Sequence, residues 1–152
     1  MKSKFAIGFT CALFLLLALR TTGADKPQKT DAVIHIDHEK VAAALASGSK
    51  LLVTDAFKVQ TGHRTGPGEV ELHDRDTDIF YILEGSATFV TGGTMVGAKN
   101  TAPGQIRAAS VEGGKTYHLT KGDVITIPAK TPHWFKDVST QTIAYYAVNL
   151  EP

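Results

Sequence analysis

From residue 51 onward the chain is cut into short apolar runs by turns that carry glycine or proline. The runs are 51–59, 69–73, 79–83, 87–91, 117–119, 123–128, 133–138 and 142–150. Between them lie Thr65-Gly66-Pro67-Gly68, Glu84-Gly85, Gly92-Gly93, Gly113-Gly114 and Lys121-Gly122. Many short strands with turn signals between them predict an antiparallel sandwich or barrel. Residues 92–114 read as one long irregular insertion. No internal repeat is present, and 152 residues suit one such unit.

The first 24 residues read as a secretory signal peptide. Lys2 and Lys4 form a positive start, residues 5–19 are mostly apolar, and Thr22-Gly23-Ala24 offers small residues for cleavage. The apolar run is too short for a membrane span, which needs about 20 residues, and is flanked by Arg20 and interrupted by Gly8. Cleavage removes Cys11, the only cysteine, so residues 25–152 cannot form a disulfide. The expected localisation is secreted or periplasmic, with no stable membrane insertion after cleavage.

Residues 25–50 form an N-terminal extension. Ala32-Val33-Ile34 is read as a short strand. Asp37 is a good N-cap for a helix over His38–Ser47, and Gly48 is its stop. The whole chain carries +1, and loss of Lys2, Lys4 and Arg20 takes it to −2. Neither value supports a nucleic-acid partner.

Residues able to do chemistry fall in two blocks. Glu71 and His73 are two apart, so on a strand they share a face. Asp78 opens the next strand after a four-residue turn, and a hairpin would set it opposite that face. The second block runs Gly122-Asp-Val-Ile-Thr-Ile-Pro128-Ala-Lys130-Thr-Pro-His133-Trp134 and adds another imidazole. Two imidazoles and two carboxylates, Glu71, His73, Asp78 and His133, make a chelating set for a divalent first-row metal. The alternative is a surface ion-pair cluster of Glu71, Asp78 and Arg75, with both histidines as ordinary barrel residues.

These blocks resemble the cupin superfamily. Its first motif ends in Glu, six residues and Gly; here Asp78, Ile79-Phe-Tyr-Ile-Leu-Glu84 and Gly85 keep that spacing. His73 stands at the second histidine of the motif's His-x-His pair, and Glu71 stands at the first. Gly66 opens the motif one residue early. In the second motif Gly122, Pro128 and His133 match, while Lys130 replaces a Gly and Asp137 an Asn. The resemblance covers residues 51–150. It implies an all-β double-stranded β-helix, a jelly-roll-like barrel over 51–152, with one short N-terminal helix. It also implies a metal at the barrel mouth held by Glu71, His73, Asp78 and His133. Mn, Fe, Zn or Ni are the candidates, and this oxygen-rich set suits copper less.

Two functions follow from different classes. One is a metal-dependent enzyme acting on a small oxygen-rich molecule; the other is a non-catalytic cupin that binds a small ligand without metal. His63, in Thr61-Gly-His-Arg64, is a further candidate ligand or substrate contact from a turn-like stretch. The sequence names no separate general base; Tyr81 and His63 are the residues nearest to that role. His35, His38 and His118 lack partners at ligand spacing. Phe80, Ile82, Tyr145 and Ala147 alternate with Tyr81 and Tyr146 on their strands, so one set of each pair is core. Trp134 should face away from His133, and Asp74-Arg75-Asp76 reads as a solvated turn. Apolar residues on both faces of 53–59 and 142–150 predict a homodimer.

Overall fold

In the computed structural model, residues 31–151 are described. The signal-peptide reading of residues 1–24 lies outside them. Among the described residues no helix is long and apolar enough to cross a membrane.

The helix forms as its caps dictate. α1 spans His38–Ser47; the Asp37 side chain accepts from the Lys40 N–H at 2.9 Å, and Gly48 closes it in the left-handed conformation. It packs on the barrel through Ala44, whose carbonyl accepts from the Thr61 hydroxyl at 2.7 Å. Residues 32–34 do not form the expected strand: Val33 is 100% exposed and has no strand partner.

Thirteen strands follow: β1 Lys50–Val53, β2 Phe57–Arg64, β3 Val70–His73, β4 Thr77–Glu84, β5 Ser86–Thr91, β6 Thr94–Val96, β7 Lys99–Ala102, β8 Gln105–Ala108, β9 Ser110–Glu112, β10 Lys115–Thr120, β11 Val124–Ile127, β12 His133–Val138 and β13 Ile143–Leu150. One sheet has the order β1-β2-β13-β4-β11, and the other β10-β5-β12-β3-β8-β7. β6 and β9 pair apart from both. Every pairing is antiparallel. The fold is therefore an all-β barrel of two antiparallel sheets, as the strand spacing and the motif resemblance implied.

Four readings need correction. The run 51–59 is two strands, broken where the Thr54 side chain takes over hydrogen bonds to Phe57. The stretch 61–64 is the end of β2 and not a turn. Residues 92–114 carry β6 to β9, four short strands whose polar residues gave no alternating pattern. β3 and β4 are also not a hairpin, since they lie in different sheets.

The core lies between the two large sheets. Phe80, Ile82, Phe89, Leu119, Phe135, Ile143 and Tyr145 are its main buried members. Phe80, Phe89, Phe135 and Tyr145 form one aromatic cluster; Phe89 and Phe135 meet edge to face with centroids 4.7 Å apart, and Phe135 and Tyr145 stack at 5.0 Å. Gly85 has φ +78°, and a Cβ there would overlap the Thr142 carbonyl oxygen, so this motif position needs glycine.

Lys130 stands where the motif has another glycine. Its φ is +64°, and it is the only non-glycine residue with positive φ among the described residues. The strain is retained because its N–H donates to the His73 carbonyl at 2.7 Å, tying the loop before β12 to β3. Lys130→Gly should therefore stabilise the fold by about 0.5–1 kcal/mol. That corresponds to a melting temperature higher by roughly 2–8 °C. An unchanged or lower value in a thermal melt would refute this account.

Candidate metal centre

Strand register assembles the site. On β12, His133 pairs directly with Glu71 of β3, and His73 lies two residues along the same face. Neighbouring residues of β8 complete the row: Gln105 is opposite His73 and Arg107 opposite Glu71. From the other sheet, Asp78 of β4 projects across the barrel, paired in register with Asn149 of β13.

The donor atoms converge. Asp78 Oδ2 lies 3.3 Å from His73 Nε2 and 3.3 Å from His133 Nε2. Glu71 Oε2 is 3.8 Å from His73 Nε2. Glu71, His73 and His133 each offer a ligand atom within 4.8 Å of the others. Asp78 stands beside both histidines, outside that group of three, and the surface ion-pair cluster of Glu71, Asp78 and Arg75 does not form. Asp78 is 1% exposed, and Arg75 pairs with Glu151 at 3.3 Å instead.

Both imidazoles are held in the same tautomer. His73 Nδ1 is 2.6 Å from Gln105 Oε1, and His133 Nδ1 is 3.1 Å from the Thr131 carbonyl oxygen. A carbonyl-type acceptor at Nδ1 puts the proton there and leaves the Nε2 lone pair facing the centre. His133 Nε2 is buried and has no hydrogen-bond partner, although Asp78 Oδ2 is 3.3 Å away. An orphaned lone pair beside a buried carboxylate fits a metal ion, as does the pattern of outer acceptors on ligand histidines.

Charge states differ between the two rings. Burial holds the His133 pKa below the usual histidine value, so its neutral form is favoured. Burial also works against charge on His73, but Asp78, Glu71 and Gln105 outweigh it and raise its pKa. Burial pushes the Tyr145 phenol up despite the Arg64 guanidinium, so it stays protonated near neutrality.

Several contributors were not foreseen. Asn149 Nδ2 donates to Asp78 Oδ1 at 2.6 Å and is itself held by Gln60 Nε2 at 2.9 Å. Arg64 Nη2 reaches Glu71 Oε1 at 3.0 Å and Arg107 Nη2 reaches Oε2 at 3.3 Å. Gln105 and Arg107 sit two apart on a strand, the same signal that Glu71 and His73 gave, but inside a stretch read as irregular. His63 is exposed and lies at the rim of the cavity, not among the donors. Tyr81 is 45% exposed on the outer face of β4, which removes it as a general base. Asp76 is buried and pairs with Lys58 at 3.4 Å, so the turn is only partly solvated. Trp134 turns away from the centre and donates from Nε1 to the Gly68 carbonyl at 2.7 Å.

Asn149→Leu would leave Asp78 Oδ1 buried without its donor. Denaturation of the metal-free protein should show a loss of about 1–3 kcal/mol. Unchanged stability would mean that Asn149 does not hold Asp78.

A family model and two solved structures with TM-scores above 0.5 agree on the fold. A family model described as Cupin matches residues 36–152. The BH2720 protein of Bacillus halodurans is 13% identical, with 82% of this chain and 86% of that one covered at a TM-score of 0.58. The Cnp3 cupin domain of Schizosaccharomyces pombe is 14% identical, with 71% and 67% covered at 0.53. Peruvianin-I, a cysteine peptidase from Thevetia peruviana latex, is 17% identical over 63% of this chain, which spans only 51% of that protein, at 0.44. No curated protein matches the chain.

Proposed function

The chain belongs to the cupin family, and from that premise we propose that it binds a divalent metal ion through Glu71, His73, Asp78 and His133 and acts on a small oxygen-rich molecule at the barrel mouth. The observation that carries this reading is the buried His133 Nε2, without a hydrogen-bond partner and 3.3 Å from the Asp78 carboxylate. Two imidazoles and two carboxylates suit Mn, Fe, Zn or Ni.

Such an ion would polarise an oxygen ligand of the bound molecule. The protein's own groups do the rest. Gln105 and the Thr131 carbonyl aim both imidazoles, Asn149 turns one Asp78 oxygen aside and leaves the other for the centre, and Arg64 and Arg107 orient Glu71. Phe80, Phe135 and Tyr145 form the floor that keeps water from the inner side. A non-catalytic, metal-free ligand-binding barrel is the second reading. What favours it is that Glu71 already meets two guanidinium groups.

We also propose export, on the signal-like residues 1–24, and a homodimer. The latter is supported by Tyr81 and Val124, 45% and 63% exposed and adjacent in register on one outer face. Sedimentation at twice the mass of one chain is the expected outcome, and single-chain mass at micromolar concentration would refute it.

Metal analysis of protein purified without an affinity tag tests the main reading. One ion per chain is expected on offering Mn, Fe, Ni or Zn, with a rise in melting temperature by mass action. His133→Ala should abolish both and His118→Ala neither. No stoichiometric uptake of any of the four would overturn the proposal.

The pH dependence has a definite sign. His73 has a raised pKa and must lose its proton to bind the ion. Affinity should therefore rise with pH through and somewhat above about 6.5, the ordinary histidine value, with proton release on binding in that range. Affinity flat from pH 5 to 8 would exclude His73 as a ligand.

A further inference from the structure

We infer that the molecule bound at this centre is a small organic carboxylate whose anionic end is held by Arg64 and Arg107, an assignment that rests on the metal reading above.

The cavity over the donor atoms measures about 680 Å³, the size of a small-molecule site. Its charge is the first argument. Lys50, Lys58, Arg64 and Arg107 line it against Glu71, Asp76 and Asp78, so four positive and three negative side chains give +1. A divalent ion at the centre would make +3. A neutral ligand leaves that excess uncompensated in a partly desolvated space, which is costly.

The second argument is how the arginines are built in. The Arg64 guanidinium lies over the Phe135 ring, 5.0 Å from its centroid, and its Nε donates to the Tyr145 hydroxyl at 3.1 Å. Two glycines make the room. A Cβ on Gly68 would stand 2.6 Å from Arg64 Nη1, and one on Gly62 would fall inside the Tyr145 ring. Tyr145 and Gly62 are direct partners across β13 and β2, so the ring lies flat on the glycine. Arg107 Nη1 donates to the Ile106 carbonyl at 3.1 Å. Each guanidinium is therefore oriented by the fold and not loosely solvated.

The third argument is the donor count. A guanidinium has five N–H donors. Arg64 spends one on Tyr145 and one on Glu71; Arg107 spends one on Ile106 and meets Glu71 as an ion pair at 3.3 Å. Both converge on a single carboxylate whose one negative charge cannot balance two guanidiniums. Both arginines line the cavity and keep N–H donors beyond those contacts. A planar two-oxygen anion matches the edge of a guanidinium.

The test is calorimetric titration of the metal-loaded protein with malonate, with its uncharged diamide malonamide, and with inorganic phosphate. Malonate should bind and malonamide should not. Arg107→Met, compared with the parent at equal metal occupancy set by titrating in the ion, should weaken malonate about tenfold or more, and Arg107→Lys should recover only part of the loss because it keeps charge without the fork. Equal binding of malonate and malonamide, or an Arg107→Met variant that binds malonate like the parent, overturns the assignment and leaves the metal reading standing. Phosphate binding as tight as malonate overturns the carboxylate class. If the parent protein takes up no metal, the metal reading fails by itself. The same titrations on the metal-free protein then decide the arginine site: Arg107-dependent malonate binding supports it, and no binding overturns it.

Discussion

Asp78 is a carboxylate with 1% exposure, set beside an aromatic core. Taking such a charge out of water costs several kcal/mol unless it is compensated. The surrounding structure supplies that compensation in a specific order. Asn149 occupies one oxygen, backed by Gln60, and two imidazole edges face the other. The imidazoles have their Nδ1 atoms tied to Gln105 and Thr131, and Glu71 closes the ring between two arginines. Each layer of contacts is explained by the one inside it. A leucine at position 78 would make most of these polar side chains unnecessary, which is why the group reads as a site and not as a means of holding the barrel together.

The two sheets divide the work. The sheet containing β3, β8 and β12 brings Glu71, His73, His133, Gln105 and Arg107 into one row by register alone. The sheet containing β2, β4 and β13 contributes Asp78, Asn149, Gln60, Arg64 and Tyr145 from across the core. The aromatic cluster lies beneath both rows, with the His133 ring 6.3 Å from Phe80 and 6.2 Å from Phe89. Core packing and site geometry are therefore one problem: a change in the Phe80 or Phe135 ring moves the spacing between the rows.

Much of this was legible in the sequence, for identifiable reasons. Turn chemistry marked the strands, an Asp and a Gly marked the helix ends, and two-residue spacing put Glu71 and His73 on one face. What stayed hidden depended on pairings between distant strands. Asn149 has no local feature that separates it from any other residue near a strand end; only its register opposite Asp78 gives it a role. Gln105 and Arg107 lay among glycines and polar residues, where β7 and β8 gain stability from neighbours and not from apolar alternation. Arg64 was lost because Gly62 suggested a turn, whereas that glycine leaves room for the Tyr145 ring in an ordinary strand.

The spread of the donors along the chain has a consequence for timing. Glu71 and His73 are neighbours, but His133 arrives only after six further strands and the β6–β9 pair have formed, and Asp78 belongs to the opposite sheet. No nascent or partly folded segment carries the complete set, and contacts this far apart in sequence are slow to close. An ion would thus be chosen by the finished barrel, from whatever supply surrounds the protein where it folds. The compartment of folding, as much as the ligand chemistry, would decide which metal the centre holds.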